Sequence, residues 1–459
     1  MMEPRVYAAS PSSFIPYLYG SRAPVAETPS PEIGLPITGR LTNGALNCCQ
    51  QMVHQELSHL SIMLPISTMD SGSRLLIPGL LLQGSQATKD FLNQCRTRGI
   101  EFTVSPLADR FLLQASGPAG QETDILQSAL SVLTCPVIDA YHFATLKDNL
   151  VKNIQNGLTD PAVPLAEATI KALFGEKHPY GKTSREELQD LSAQTLSSVM
   201  ATYKQAMAFP EMSIFSLISP QPVEAQEALL NQGIRQSNWY ASPYRQGSLD
   251  VLPPVDPKKG ARGPLLVPNE TLKRAYIFQA WRAPVVNDPD YLPFCLMLEM
   301  LKGFSGGFFK ALRTARSLVY GVQQAYLERQ QAGSYQVMVR EVETKRIGEA
   351  MDAMQEVVTE MVDKPVSPQR LWTAKEDFIR QLNTMKQSSA GLASFNQPWL
   401  QSGLPPLPPQ ALKAAIERIT PADLQRVATR FLTPQNGYTV LGISAPKSIL
   451  NQQFKPPIS

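Results

Sequence analysis

Arg313 and Tyr320 lie seven residues apart in a stretch that opens on a glycine cluster, Gly303, Gly306 and Gly307. Within it, Phe308, Leu312 and Ala315 recur at i, i+4 and i+7, which predicts a short helix carrying Arg313. Beyond Ser317 the pattern changes. Tyr320, Val322 and Tyr326 share one parity, and Gln323 and Gln324 break the helical period. This predicts a strand over 320–328, a turn at 330–333 and a second strand over 334–342. Tyr320 then stands where the chain enters a sheet. Two readings fit the pair. In one, Arg313 is a solvated helix residue and Tyr320 is core. In the other, a guanidinium with five fixed N–H donors and a phenol O–H are held together as a clamp for a peptide carbonyl or carboxylate.

The other residues able to do chemistry are sparse. His54 and His59 are five residues apart, a spacing that puts them on one face of neither a helix nor a strand. His178 sits in Leu173-Phe-Gly-Glu-Lys-His-Pro-Tyr-Gly181 with no second ligand near it in sequence, which favours a turn that packs Tyr180. The five cysteines, Cys48, Cys49, Cys95, Cys135 and Cys295, are odd in number and include no Cys-x-x-Cys. They predict reduced, buried thiols, with Cys48 and Cys49 on opposite faces of a strand, and no disulfide framework or zinc knuckle.

The elements that must position these residues are numerous. A chain of 459 residues is too long for one core and fits two domains. A net charge of +3 without basic runs argues against a nucleic-acid partner. The longest apolar run, Leu75 to Leu82, contains Pro78 and Gly79 and is too short to span a bilayer. No signal peptide is visible, so the cytoplasm is the default compartment, with the periplasm open if a signal was removed. Residues 1–35, rich in Pro, Ser and Ala, are expected to be a flexible tail. The Pro- and Gly-rich residues 241–268 are expected to be a linker. Between and after them fall a first domain, 36–240, and a second, 269–459. A repeat links the two. Leu196, Val199 and Tyr203 precede a strand ending in Ile218-Ser-Pro, and Leu424, Val427 and Phe431 precede one ending in Ile443-Ser-Ala-Pro. In the second copy, Thr420, Pro421 and Asp423 supply an N-cap, an N1 proline and a first-turn acid. Pro398 and the prolines of 404–409 are expected to form a rigid loop.

Leu312-Arg313, five residues, then Leu318-Val-Tyr320-Gly-Val resembles a signature of the insulinase/pitrilysin family of zinc metallopeptidases, and the His178-Pro-Tyr-Gly loop resembles a second. The resemblance implies an α+β fold. It has two homologous domains, each an antiparallel sheet with helices packed on one face, forming one half of a clamshell. It also implies that Arg313 and Tyr320 hold substrate against a zinc centre in another half of the assembly. In that family a helix carries His-x-x-Glu-His, two zinc ligands and a general base. Aligned on Gly84, the five places are Leu75, Leu76, Ile77, Pro78 and Gly79, and the family's third ligand falls at Asn153. Aliphatic side chains do not bind zinc, and Pro78 is expected to break a helix there. No metal is therefore expected in this chain.

These observations lead to a non-catalytic subunit of a heteromeric zinc metallopeptidase. The zinc would reside in a partner of the same family forming a heterodimer, and the substrate would be a peptide or protein. A purely structural or peptide-binding homologue is the alternative, as is the separate C-terminal half of a pitrilysin-type enzyme. A self-sufficient peptidase would need unusual ligands such as His54, His59 or His178.

Overall fold

The structure, a computed structural model, describes residues 32–66, 70–107, 109–241, 253, 255, 264–270, 272–303, 306–433 and 436–444. Most of the expected tail and most of the expected linker lie outside the described residues.

The first half runs β1 (Ile37–Arg40), β2 (Leu46–Gln51), β3 (Leu57–Pro65), α1 (Ser71–Gln83), α2 (Gln86–Thr97), β4 (Glu101–Pro106), β5 (Arg110–Pro118), α3 (Glu122–Thr134), α4 (Ala140–Gly157), α5 (Val163–Phe174), α6 (Ser184–Ala193), α7 (Leu196–Met207), β6 (Ile214–Ser219) and α8 (Val223–Ser237). The second half runs β7 (Leu265–Pro268), β8 (Ala275–Ala283), α9 (Tyr291–Leu301), the single turn α10 (Gly307–Phe309) with a π-helical turn at Lys310–Thr314, β9 (Val322–Leu327), β10 (Gly333–Val342), α11 (Ile347–Asp363), α12 (Pro368–Met385), α13 (Ser389–Gln401), α14 (Pro409–Arg418), α15 (Pro421–Phe431) and β11 (Gly437–Ile443). The fold is α+β, with sheets ordered β1-β2-β6-β3-β5-β4 and β7-β11-β8-β10-β9.

The second order reproduces the first once β1 is set aside, as the sequence repeat predicts. The repeated helices α7 and α15 start alike. Thr195 and Thr420 each accept a bond from the N–H three residues on, and the side chain at that third position returns a bond to the cap. Each sheet departs from the antiparallel expectation at one pair, because β6 runs parallel to β2 and β11 parallel to β7. Leu265–Pro268, within the expected linker, is thus an edge strand of the second sheet. Ile33 and Gly34, within the expected tail, already pair with Met52 and Gln51.

Alternation along the strands gives each sheet two apolar faces. On the first sheet, Leu60, Ile62, Leu64, Phe111 and Leu113 bury against helices of the same half. Met63, Leu112, Cys48 and Ile214 point the other way and meet Leu400 of α13. On the second sheet, Ile277, Trp281, Val337 and Val339 face that half's own helices. Tyr276, Phe278 and Val440 face Leu165 of α5. Helices therefore lie on both faces, not one, and each half lends the other a helix. Gly442 on β11 makes room for the lent helix, since a Cβ there would lie 2.7 Å from Leu165 Cδ1. Arg282 Nε donates to Leu173 O at 2.9 Å, and Asn396 Nδ2 donates to Gln50 Oε1 at 2.8 Å, tying the halves by polar contacts as well.

Two prolines stand where a helix was expected to fail. Pro78 lies inside α1 and Pro398 inside α13. Each removes one N–H from the ladder, but both helices are packed into cores that outweigh the lost bond. Leu76, Ile77, Leu80 and Leu81 anchor α1, and Phe395, Trp399 and Leu400 anchor α13.

One buried acid beside β9 gives the fold a pH dependence. Glu328 accepts bonds from Val286 N–H at 3.1 Å and Tyr291 O–H at 3.0 Å. Burial nevertheless raises its carboxyl from 4.5 to about 7. Between those values the folded chain keeps a proton that the unfolded chain has released, so this group's contribution to stability falls as pH rises and its penalty is complete above about 7. Glu328→Gln is expected to raise the melting temperature above that pH, by on the order of 2–3 kcal/mol of stability. It should do little below 4.5, and a melting curve taken across the range checks this.

Candidate functional site

The seven-residue spacing does bring Arg313 and Tyr320 together. The Arg313 guanidinium carbon lies 5.5 Å from the centre of the Tyr320 ring, within cation–π range. Arg313 Nη1 also donates to Val319 O at 3.4 Å. Both side chains are exposed, Tyr320 at 90%. The π turn contributes to this placement. Ala315 N–H bonds five residues back to Lys310 O, at 2.9 Å, and Leu318 N–H bonds to Leu312 O, at 2.8 Å. The extra residue shifts the helical phase. Phe308 and Leu312 bury as expected, but Ala315 turns to solvent and Leu318 and Val319 take the core positions. Tyr320 follows directly from that anchor and projects outward beside β9. The pair offers N–H and O–H donors on an exposed edge, and β9 is hydrogen-bonded only to β10.

The positions aligned with the zinc motif do form a helix, α1, but one without ligands. Leu75 and Gly79 are half-buried, Pro78 is buried, and Asn153 is exposed on α4. A Cβ on Gly79 would stand 2.7 Å from Cδ2 and 2.9 Å from Cδ1 of Leu146. The space a ligand side chain would need is therefore filled by an isobutyl group from α4. Zinc sites are built from Cys, His, Asp and Glu, and these positions supply none of them, so a zinc ion does not fit them. Among the described residues, no three His, Cys, Asp or Glu side chains are grouped to hold a metal ion.

The histidines remain apart in the fold. His54 is an exposed turn residue with φ of 64°. His59 is buried on β3 between Ser116 Oγ at 2.8 Å and Ser61 Oγ at 3.0 Å, and burial pulls its imidazole down to about 4. His178 caps the turn before Tyr180. Its Nδ1 accepts from Tyr180 N–H at 3.0 Å, so its Nε2 carries the proton given to Pro253 O at 2.9 Å. The rings of His178 and Tyr180 pack 4.7 Å apart, the packing turn expected from the sequence. Cys48 and Cys49 bury on opposite faces of β2, and burial pushes their thiols to about 12 and about 11. Cys135 is exposed, against the expectation of burial.

One cluster was not legible from sequence. Arg329, two residues past β9, stacks its guanidinium 4.9 Å from the Phe174 ring centre and 5.2 Å from that of Tyr180. An arginine beside a Gln-Gln-Ala-Gly turn reads as solvated, and its aromatic partners lie some 150 residues away along the chain.

Residues 180–378 match the family described as the peptidase M16 inactive domain. No curated protein matches the sequence. Among solved structures, the fold is similar to that of a protease from Helicobacter pylori, with a TM-score of 0.78 at 12% identity over 90% of this chain and 100% of that one. It is similar to the peptidase M16 inactive domain from Pseudomonas fluorescens, with a TM-score of 0.73 at 17% identity over 89% and 97% of the two chains. The periplasmic protease PqqL from Escherichia coli gives a TM-score of 0.70 at 15% identity, over 94% of this chain and 49% of that one, so this chain spans about half its length. At these identities the solved structures establish the fold. Among the described residues, no helix is long and apolar enough to cross a membrane.

Proposed function

We propose that this chain, whose residues 180–378 match the peptidase M16 inactive domain, is a non-catalytic insulinase/pitrilysin homologue that completes the peptide chamber of a two-chain zinc metallopeptidase. The partner would be a family member carrying His-x-x-Glu-His, and it alone would hold zinc and supply its chemistry. The observation that carries the reading is a contrast within one chain. The metal positions carry no Cys, His, Asp or Glu, and Leu146 crowds Gly79, while Arg313 and Tyr320 are held together at an exposed edge. A chain kept only as scaffold has no use for that pair.

In this reading a peptide adds as a strand beside β9, and main-chain hydrogen bonds supply much of the affinity. Arg313 donates N–H to the peptide carbonyl next to the bond being cut, and Tyr320 donates its O–H. Both orient the peptide and stabilise negative charge as it develops on that oxygen. Arg313 is suited to this because its guanidinium presents planar, forked N–H donors.

The test is reconstitution. The isolated chain is expected to contain no stoichiometric zinc and to leave peptides intact, and mixing it with a family protein that carries His-x-x-Glu-His should produce cleavage. Chelator-sensitive cleavage by the isolated chain would overturn the reading.

A further inference from the structure

Arg329 is a half-buried cation with no ion pair among the described residues. Its only hydrogen bond among the described residues is a 3.4 Å contact from Nη1 to Ser334 Oγ. The rings of Phe174 and Tyr180, themselves edge to face, lie beside its guanidinium and accept none of its N–H donors in plane, so most of the five stay unclaimed among the described residues. The surrounding charges do not neutralise it. Arg74 is engaged by Glu187 at 2.6 Å and by Leu107 O at 3.2 Å. Arg110 pairs through Nε with Asp109 at 3.6 Å and donates from Nη1 to Met212 O at 3.2 Å. Arg282 also lies over the Phe174 ring, 5.6 Å from its centre, so two guanidiniums share that ring. Burial, against an opposing effect of Tyr180 and with the nearby charge of Arg74, draws Arg329 down to about 10. Folded proteins retain buried charges when they are paired, and here the pairing group is not among the described residues.

We propose that Arg329, with Tyr180 beside it, binds a carboxylate of the peptide that this chain holds. The inference rests on the peptide-binding reading and deepens it to a substrate class, peptides with an acidic group far from the cut. Tyr320 and Arg329 stand at opposite ends of β9. A strand reaching from one to the other spans nine residues, roughly 30 Å at about 3.3 Å each. The carboxylate can be the C-terminus or an acidic side chain.

The chain alone suffices for the test. N-acetylated peptides of about nine Ala, Ser and Gln residues are titrated in three forms: free C-terminal acid, C-terminal amide, and amide with Glu as the last residue. The free acid or the Glu peptide is expected to bind about tenfold or more tighter than the neutral amide. Which of the two is preferred identifies the source of the carboxylate. Arg329→Gln should erase the preference, and Arg329→Lys should restore only part of it, because an ammonium lacks the planar fork. Equal binding of all three forms by the unaltered chain, a result that needs no variant, overturns the site while leaving peptide binding intact. Sodium acetate separates the two ideas from the other side. If it raises the melting temperature of the unaltered chain and not of Arg329→Gln, and no peptide binds, the carboxylate site stands and the peptide reading fails.

Discussion

Arg313→Ala is expected to lower kcat/KM of the reconstituted two-chain peptidase by about 10²-fold, mostly in kcat. Loss of one donor that acts on developing charge typically has this size. The geometry here gives a second reason. Tyr320 is 90% exposed, and the Arg313 guanidinium is the contact that fixes its ring. Removing the arginine therefore loosens the phenol as well, so the loss should exceed that of Tyr320→Phe, which deletes a hydroxyl and leaves the stack. Arg313→Lys keeps a charge without the fork and should recover little. Stability provides the control. Arg313 is exposed and makes one 3.4 Å hydrogen bond, so its removal should change folding by no more than about 0.5 kcal/mol. An unchanged kcat/KM would assign the chain to the structural or binding class.

What could be read from the sequence divides along a physical line. Local signals were sufficient for most elements. Periodicity located α7 and α15, and the Thr420-Pro421-Ala-Asp423 start gives the capping box found there. The Arg313–Tyr320 pair was legible because both residues belong to one local unit, although the π turn inside it was not. No apolar spacing marks a five-back hydrogen bond, and the exposed Ala315 sits where an unbroken helix would have buried it. Long-range choices were illegible. Nothing in the sequence of α5 or α13 says which sheet the helix will cover. The same limit hid Arg329, whose aromatic partners come from the other half. Pro78 and Pro398 misled for a related reason. A proline's local penalty, about 3 kcal/mol in a helix interior, was weighed without the tertiary burial that opposes it.

At the positions that align with the zinc motif, missing ligands can be separated from a missing space. Restoring the ligand types, with Leu75→His, Pro78→Glu, Gly79→His and Asn153→Glu together, is expected to give a chain that binds no stoichiometric zinc and is destabilised by about 3 kcal/mol or more. The reason lies at two positions. At Gly79 even a Cβ would press on both terminal carbons of Leu146, so an imidazole must displace that side chain from the apolar packing between α1 and α4. At Pro78, which is buried, glutamate returns a helix N–H but brings a charge into an apolar setting with no partner waiting. Adding Leu146→Ala opens the space by the volume that blocks it. If the five-fold variant takes up one equivalent of zinc while the four-fold variant does not, the barrier is the packing of α4, and these positions lack both donors and room. If the four-fold variant binds zinc by itself, measured as bound metal after desalting, Leu146 yields easily and the absent donors are the whole explanation. Circular dichroism and melting of both variants distinguish either result from failure to fold.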